Sequence, residues 1–343
     1  MNIAELGEFE LIARLTAGLP THLEHEIGVG DDCAILDLGS EDLLLATCDS
    51  QVEDIHFTLQ TSTPEAIGQK ALAINLSDIA AMGGTPRAAL VSLLLPATLP
   101  VAVLDGMYAG LRAEAQRFET AIVGGNISGA GPAGKLVIDI TLLGTVRRGH
   151  ALLRSGARAG DLLCVTGWLG DSAAGLQSFL QACPYIEPQD LHWVQQRHTT
   201  PTPRVQEGQV LGELGPELVT AMLDISDGLS GDLQHLCERS GCGARIDLAT
   251  LPLSTPLKAV AHELQQDPVQ WALHGGEDYE LLLTLHPQTL DTVRTALAAR
   301  TNTPLTVIGS IQPASSGIQV VHPDGRLEEL QVQSWDHLKS SPT

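Results

Sequence analysis

The apolar positions of this chain fall into short blocks that end in acidic or glycine-rich turns. The clearest block is AMLDISDGLSGDLQHL, residues 221–236. Ala221, Met222 and Leu223 lead into Asp224, Ser226, Asp227 and Gly228, and Leu229, Leu233 and Leu236 then recur at helical spacing. The pattern predicts a buried strand, a tight polar turn and an amphipathic helix. Comparable junctions occur earlier. Gly28-Val29-Gly30-Asp31-Asp32 precedes an apolar strand at 34–36, a strand at 43–47 runs into a Cys48-Asp49-Ser50 turn, and a strand at 121–123 ends in a Gly124-Gly125-Asn126 loop.

Pro64 opens a helix that continues to Met82 and stops at Gly83-Gly84. Asn75 and Asp78, three apart, share one of its faces. Helical spacing also marks 8–19, 101–118, 172–181, 206–214, 258–265 and 290–300. Strand patterns mark 88–95, 136–144, 162–165, 244–248 and 281–285, whereas 184–203 reads as a polar connection. The irregular alternation of strands and helices in both halves predicts two α+β domains, 1–148 and 149–343, divided near Arg147-Arg148-Gly149.

Composition narrows the function. Acids exceed bases 41 to 19, giving a net charge of −22. That argues against nucleic acid or an anionic membrane surface as partner, both of which call for a basic footprint. A phosphate ligand stays compatible provided divalent cations stand between it and the carboxylates. The six cysteines are scattered without a CxxC pair, so neither a zinc site nor a disulfide framework is expected. The N-terminal stretch is acidic and amphipathic rather than a signal peptide, and the most apolar region, 88–104, is interrupted by Pro96 and Pro100. The expected compartment is the cytoplasm.

Asp32, Asp49, Asp78 and Asp224 each sit where an apolar strand or helix meets a turn or glycine-rich loop, and Asp227 joins them. Hard cations such as Mg²⁺ take one or two carboxylates with water and substrate phosphates completing the shell. Each aspartate alone is equally a turn or helix-capping residue. One cap needs one acid, however, and Asp224, Asp227 and Asp232 fall within nine positions. The glycine loops around Gly30 and Gly125 suit either backbone approach to phosphates or tight turns. No Walker A sequence and no protein-kinase HRD or DFG set is present.

Taken in order, GVGDDCAIL, DSQVEDIHF, KALAINLSDIAAMGG, RSGARAGD, VTGWLGDSAAGL, PTPRV, LDISDGLSGDLQHL and GGEDYELLLT resemble the thiamine-monophosphate kinases. These belong to the aminoimidazole-ribonucleotide-synthetase-like superfamily. The resemblance implies a homodimer in which the N-terminal domain forms a shared β-barrel flanked by helices, followed by a C-terminal α+β domain. It implies several Mg²⁺ ions on Asp32, Thr47, Cys48, Asp49, Asp78, Asn126, Asp224 and Asp227. It places ATP at Gly125, Asn126, Arg154 and Ser226, and thiamine monophosphate at His56, Glu277 and Trp335. An aromatic face and a carboxylate suit the cationic thiazolium ring. The implied reaction is direct in-line transfer of the γ-phosphoryl group to a phosphate that is already ionised near neutrality.

Two residues depart from the family pattern. Asn126 stands where Asp is usual (GGNIS rather than GGDT), and Cys48 stands where Thr or Ser is frequent. The lost charge at Asn126 predicts weaker binding of one Mg²⁺. Two other readings share some of these features: another ATP-dependent enzyme of the superfamily, and a non-catalytic nucleotide- or metal-binding protein.

Overall fold

The computed structural model describes residues 8–17, 27–131 and 134–333. After a short helix α1 (Glu8–Thr16), the first half builds one five-stranded sheet from β1 (Ala34–Leu36), β2 (Asp42–Val52), β3 (Thr85–Leu95), β4 (Ala121–Gly129) and β5 (Val137–Arg147). The order is β1-β2-β5-β3-β4. Only β3 and β4 run parallel, joined by helix α3 (Val101–Arg117). Burial alternates along β5, where Ile138, Ile140 and Leu142 face the helices and Asp139 and Thr141 face the opposite, open side.

Helix α2 (Pro64–Ala81) is the centre of the molecule. Thr63 caps its N-terminus by accepting from the Ala66 amide, and Pro64 occupies the first turn. Thirteen of its 18 residues are buried, on every side of the helix. A helix apolar all round must be enclosed, and this one packs against the first sheet, α3 and the second half of the chain.

Among the described residues the second half holds seven strands: β6 (Leu162–Thr166), β7 (Val219–Asp224), β8 (Cys242–Asp247), β9 (Leu281–Leu285), β10 (Leu305–Pro313), β11 (Ile318–Val321) and β12 (Leu327–Glu329). Their order is β12-β11-β8-β10-β6-β9-β7. The accompanying helices are α4 (Asp171–Leu180), α5 (Pro188–Thr199), α6 (Val205–Leu214), α7 (Leu229–Ser240), α8 (Thr255–Glu263), α9 (Pro268–His274) and α10 (Leu290–Arg300). All five residues of β9 are buried. On one face of this sheet Leu223, Leu282 and Ile246 pack with Leu229, Leu233 and Leu236 of α7. On the other face Met222, Leu283 and Leu285 join Leu72, Leu76, Val91 and Ile140 of the first half in one continuous core. Gly208 of α6 brings that helix against α2, since a β-carbon there would lie 2.3 Å from the Ala80 carbonyl oxygen.

The mixed α+β architecture agrees with the sequence reading, with local differences. Cys48–Val52 continue β2 rather than forming a turn. The Gly124-Gly125-Asn126 segment lies inside β4, hydrogen-bonded beside Leu90, Val91 and Ser92. Its glycine serves strand packing: Gly125 has φ +155°, and a β-carbon would sit 1.8 Å from the Val91 carbonyl oxygen. The connection at 184–203 contains α5, which buries only Val194 and His198 and so lacks an apolar stripe. Within one chain the first sheet is open, with β1 and β4 at its edges.

Candidate active site

The acidic junctions converge where the two halves meet. Asp32 follows the first glycine loop, Asp78 lies in the last turn of α2, and Asp224 ends β7. One carboxylate oxygen from each lies within 4.8 Å of the others, with Asp32 and Asp224 buried. Neighbouring groups orient all three. Thr47 on β2 donates its hydroxyl to Asp78 Oδ2, and Ser77 donates to Asp224 Oδ2. Arg154 binds Asp32 Oδ1 through Nη2 (2.5 Å) and Nε (3.2 Å), while its amide donates to Asp31. Asp32 Oδ2 is buried and has no hydrogen-bond partner among the described residues.

The electrostatics are those of a site short of positive charge. Burial, then the charges of Asp49, Asp224 and Asp32, push Asp78 well above the usual carboxylate range. Burial and Asp32 push Asp224 up to about 7, against the opposing pull of the Ser77 hydroxyl and Arg154. Like charges this close are costly unless a cation joins them. Burial and the same carboxylates push the Cys33 thiol beside the cluster well above its ordinary range.

Asp49 comes off β2 on the same side as Thr47, and its amide is fixed by Asn75 Oδ1 at 3.2 Å. The turn after β7 is held from within. Asp232, in the first turn of α7, accepts from the amides of both Ser226 (3.1 Å) and Asp227 (3.2 Å). The N-cap of α7 is Gly228, without a side-chain cap, so neither Ser226 nor Asp227 caps the helix. This removes the competing reading of that turn.

A second group adjoins the first. The Glu277 amide donates to the Ser226 carbonyl at 2.7 Å, tying the GGEDYE loop to the SDG turn. Glu277 and Tyr279 both take positive φ (66° and 49°), a rare conformation for non-glycine residues. Lys70 Nζ lies 2.6 Å from Glu277 Oε1 and also donates to the His56 carbonyl. The His56 ring accepts from the Val52 amide through Nδ1. The intervening residues turn elsewhere. Asp278 accepts from the Gly170 and Ser172 amides at the start of α4, and Glu280 is held by Arg197 and Arg204.

Thus Asp32, Thr47, Asp49, Asp78, Arg154, Asp224, Ser226 and Asp227 gather at one junction, with His56 and Glu277 beside it. Cys48 and Asn126 are not brought there within one chain. Cys48 projects from the opposite face of β2, where its Sγ contacts Asp139 and Thr141. Asn126 and Gly125 lie on β4, three strand spacings, roughly 14 Å, from β2, and the exposed Asn126 amide bonds Ser128. Trp335 lies outside the described residues. The sequence reading gave no role to Lys70, Ser77 or His198; a lysine and a serine within an enclosed apolar helix were the available signal for the first two.

The AIR synthase related protein N-terminal domain model matches residues 30–146, and the corresponding C-terminal domain model matches 158–321. Thiamine-monophosphate kinase of Escherichia coli O157:H7 is 37% identical over 332 residues, covering 96% of this chain and 98% of that protein. The chain belongs to the thiamine-monophosphate kinase family. The Bacillus subtilis (strain 168) member is 34% identical over 335 residues, covering 97% of this chain and all of that one. Among solved structures of the family, AaThiL complexed with AMPPCP and TMP superposes with a TM-score of 0.84 at 35% identity, covering 98% of this chain and 99% of that one.

Proposed function

We propose that this protein transfers the γ-phosphoryl group of ATP directly to thiamine monophosphate, giving thiamine diphosphate. The observation that carries the reading is the Asp32–Asp78–Asp224 cluster at the meeting of the halves, in a chain similar over its whole length to thiamine-monophosphate kinases.

The residues present fit Mg²⁺. The donors are hard oxygens, Asp32 Oδ2 is buried without a partner, and burial and mutual repulsion raise Asp78 and Asp224. Asp32, Asp49, Asp78 and Asp224, with Thr47, would hold the principal ions, and Asp227 a further one. Cys48 and Asn126 are left out of this set because their side chains lie on the open face or the far strand. Bound Mg²⁺ would neutralise the triphosphate and the charge developing on the transferred group.

The chain's own groups then do the positioning. Arg154 occupies Asp32 Oδ1 and leaves Oδ2 to face a cation. Asp232 fixes the turn that carries Ser226, the residue assigned to the nucleotide. His56 and Glu277 line the acceptor side. A phosphate monoester has its second pKa at about 6, so the acceptor needs no general base, and in-line positioning dominates the rate.

A homodimer completes the reading. β4 is an exposed edge strand, and Val123, Ile127, Leu90 and Leu94 are exposed on β4 and its neighbour β3. An apolar edge of this kind invites pairing, and two open sheets meeting there would close the barrel. The domains then run 1–148 and 149–343, and the six unpaired cysteines suit the reducing cytoplasm as the working compartment. No helix among the described residues is long and apolar enough to cross a membrane.

Phosphorus NMR of the protein with ATP, Mg²⁺ and thiamine monophosphate tests the activity. Diphosphate signals of thiamine diphosphate are expected with the monophosphate and absent with free thiamine. ATP hydrolysis without that product rejects the reading.

A further inference from the structure

We propose that Lys70 is a positioning residue for acceptor recognition, fixing the Glu277 carboxylate so that it accepts a hydrogen bond from the pyrimidine amino group of thiamine monophosphate. This rests on the reading above and adds a specificity device to it.

Lys70 is 2% exposed, in the middle of the enclosed helix α2. A lysine is seldom buried unless paired, and this one meets Glu277 Oε1 at 2.6 Å. The other carboxylate oxygen, Oε2, lies 3.3 Å from His198 Nδ1, which is also 3.1 Å from the Ser172 hydroxyl. Burial and the nearby Lys70 ammonium lower His198 to about 4, so at neutral pH this contact is with a neutral imidazole rather than an ion pair. Burial alone would raise Glu277, but Lys70 and His198 pull it below the ordinary range.

Glu277 therefore has its charge balanced and Oε1 fixed by Lys70, while a quarter of its side chain stays exposed and Oε2 lies against His198. It offers a directed acceptor rather than net negative charge. The thiazolium cation gains little from such a neutralised pair. The pyrimidine amino group, the N–H donor carried by thiamine's rings, gains a fixed partner. Lys70 also holds the His56 carbonyl, so one ammonium spans the acceptor side of the site.

The test compares Lys70→Met, Lys70→Arg, Glu277→Gln and the double variant Lys70→Met/Glu277→Gln with the parent protein. It uses thiamine monophosphate and oxythiamine monophosphate, in which an exocyclic oxygen on the pyrimidine replaces the amino group. Formation of thiamine diphosphate by the parent establishes the parent reaction; its absence rejects the proposed function before the lysine is at issue. Given turnover, Lys70→Met is expected to raise KM for thiamine monophosphate about tenfold or more, with kcat and the KM for ATP changed less than about threefold. Lys70→Arg is expected to restore part of the loss. The parent is expected to prefer the amino over the oxo substrate at least about tenfold, and Lys70→Met to flatten that preference. The double variant is expected to be no worse than Glu277→Gln alone, as coupled residues require. Additive losses in the double variant, or an amino-to-oxo preference unchanged by Lys70→Met, overturn the proposal. The charge-neutral double variant also guards against loss of folding from a lone buried acid.

Discussion

The Ser77 hydroxyl donates to Asp224 Oδ2 at 2.5 Å, across 147 positions of sequence, and so links α2 of the first half to the end of β7 in the second. The bond favours the ionised carboxylate but does not overcome burial and the charge of Asp32, which leave Asp224 near 7. The metal-free fold therefore carries an unfavourable charge at this point above neutrality. Asp224→Asn is expected to stabilise the protein at pH 8 in a chelator by up to about 4 kcal/mol, from about 1.4 kcal/mol per pKa unit over the rise from 3.8 to about 7. The same change is expected to remove any rise in melting temperature with added Mg²⁺ and to lower turnover at least about a hundredfold. Calorimetric melting with and without Mg²⁺ reads this, and a lower melting temperature in chelator contradicts it.

Among the described residues, Arg154 reaches the carboxylate cluster directly. Its partner Asp32 has a fully buried side chain. Removing one member of a buried pair leaves the other uncompensated, so Arg154→Ala is expected to destabilise by about 3 kcal/mol. Excess Mg²⁺ should recover much of that loss, because the ion replaces the missing charge. Denaturant melts at zero and 10-fold-varied Mg²⁺, about 1 and 10 mM, would detect it; a loss indifferent to Mg²⁺ counts against a cation at Asp32.

His198 supplies a separate pH signature. Its folded pKa, about 4, lies below the ordinary 6.5, so the unfolded chain binds more protons between those values. Stability due to this group is full above pH 6.5 and is lost as pH falls towards 4. The whole swing is about 3 kcal/mol. Asp31 and Asp224, both raised, oppose it in part of the same window, so the informative quantity is the difference between the parent and His198→Gln. That difference should shrink on acidification; parallel stability–pH curves would contradict a buried neutral imidazole.

At the edge of the first sheet, Ile127 is 68% exposed on β4. Ile127→Lys is expected to convert the proposed dimer to monomer while leaving the metal-free fold within about 0.5 kcal/mol of the parent monomer. Light scattering after size exclusion decides this, and an unchanged mass rejects β4 as the contact.

The acidic junctions were legible in the sequence because each interrupts an apolar run, and apolar runs are what the fold buries. Asp32, Asp78 and Asp224 converge because a strand end, a helix end and a loop meet at one point. That meeting is long-range, and local pattern does not encode it. Two glycines in GGNIS suggested a loop, whereas close approach of β4 to Val91 required the glycine within a strand. Helix α5 leaves no apolar stripe in the sequence, because QDLHWVQQRH buries just Val194 and His198. Lys70 could be recognised as a buried charge, but its partner Glu277 lies far along the chain.

The enclosure of α2 bears on how the protein can be cut and assembled. One side of this helix completes the core of the first sheet, and another is covered by Met222, Leu283 and α6 from the second half. A fragment ending near residue 148 would present that second side to water, and the complementary fragment would lack the helix its sheet was shaped against. Neither half is a portable module. The two should melt in a single cooperative transition, and a protease that nicks the connector near Gly149 should leave two pieces that stay together until both unfold.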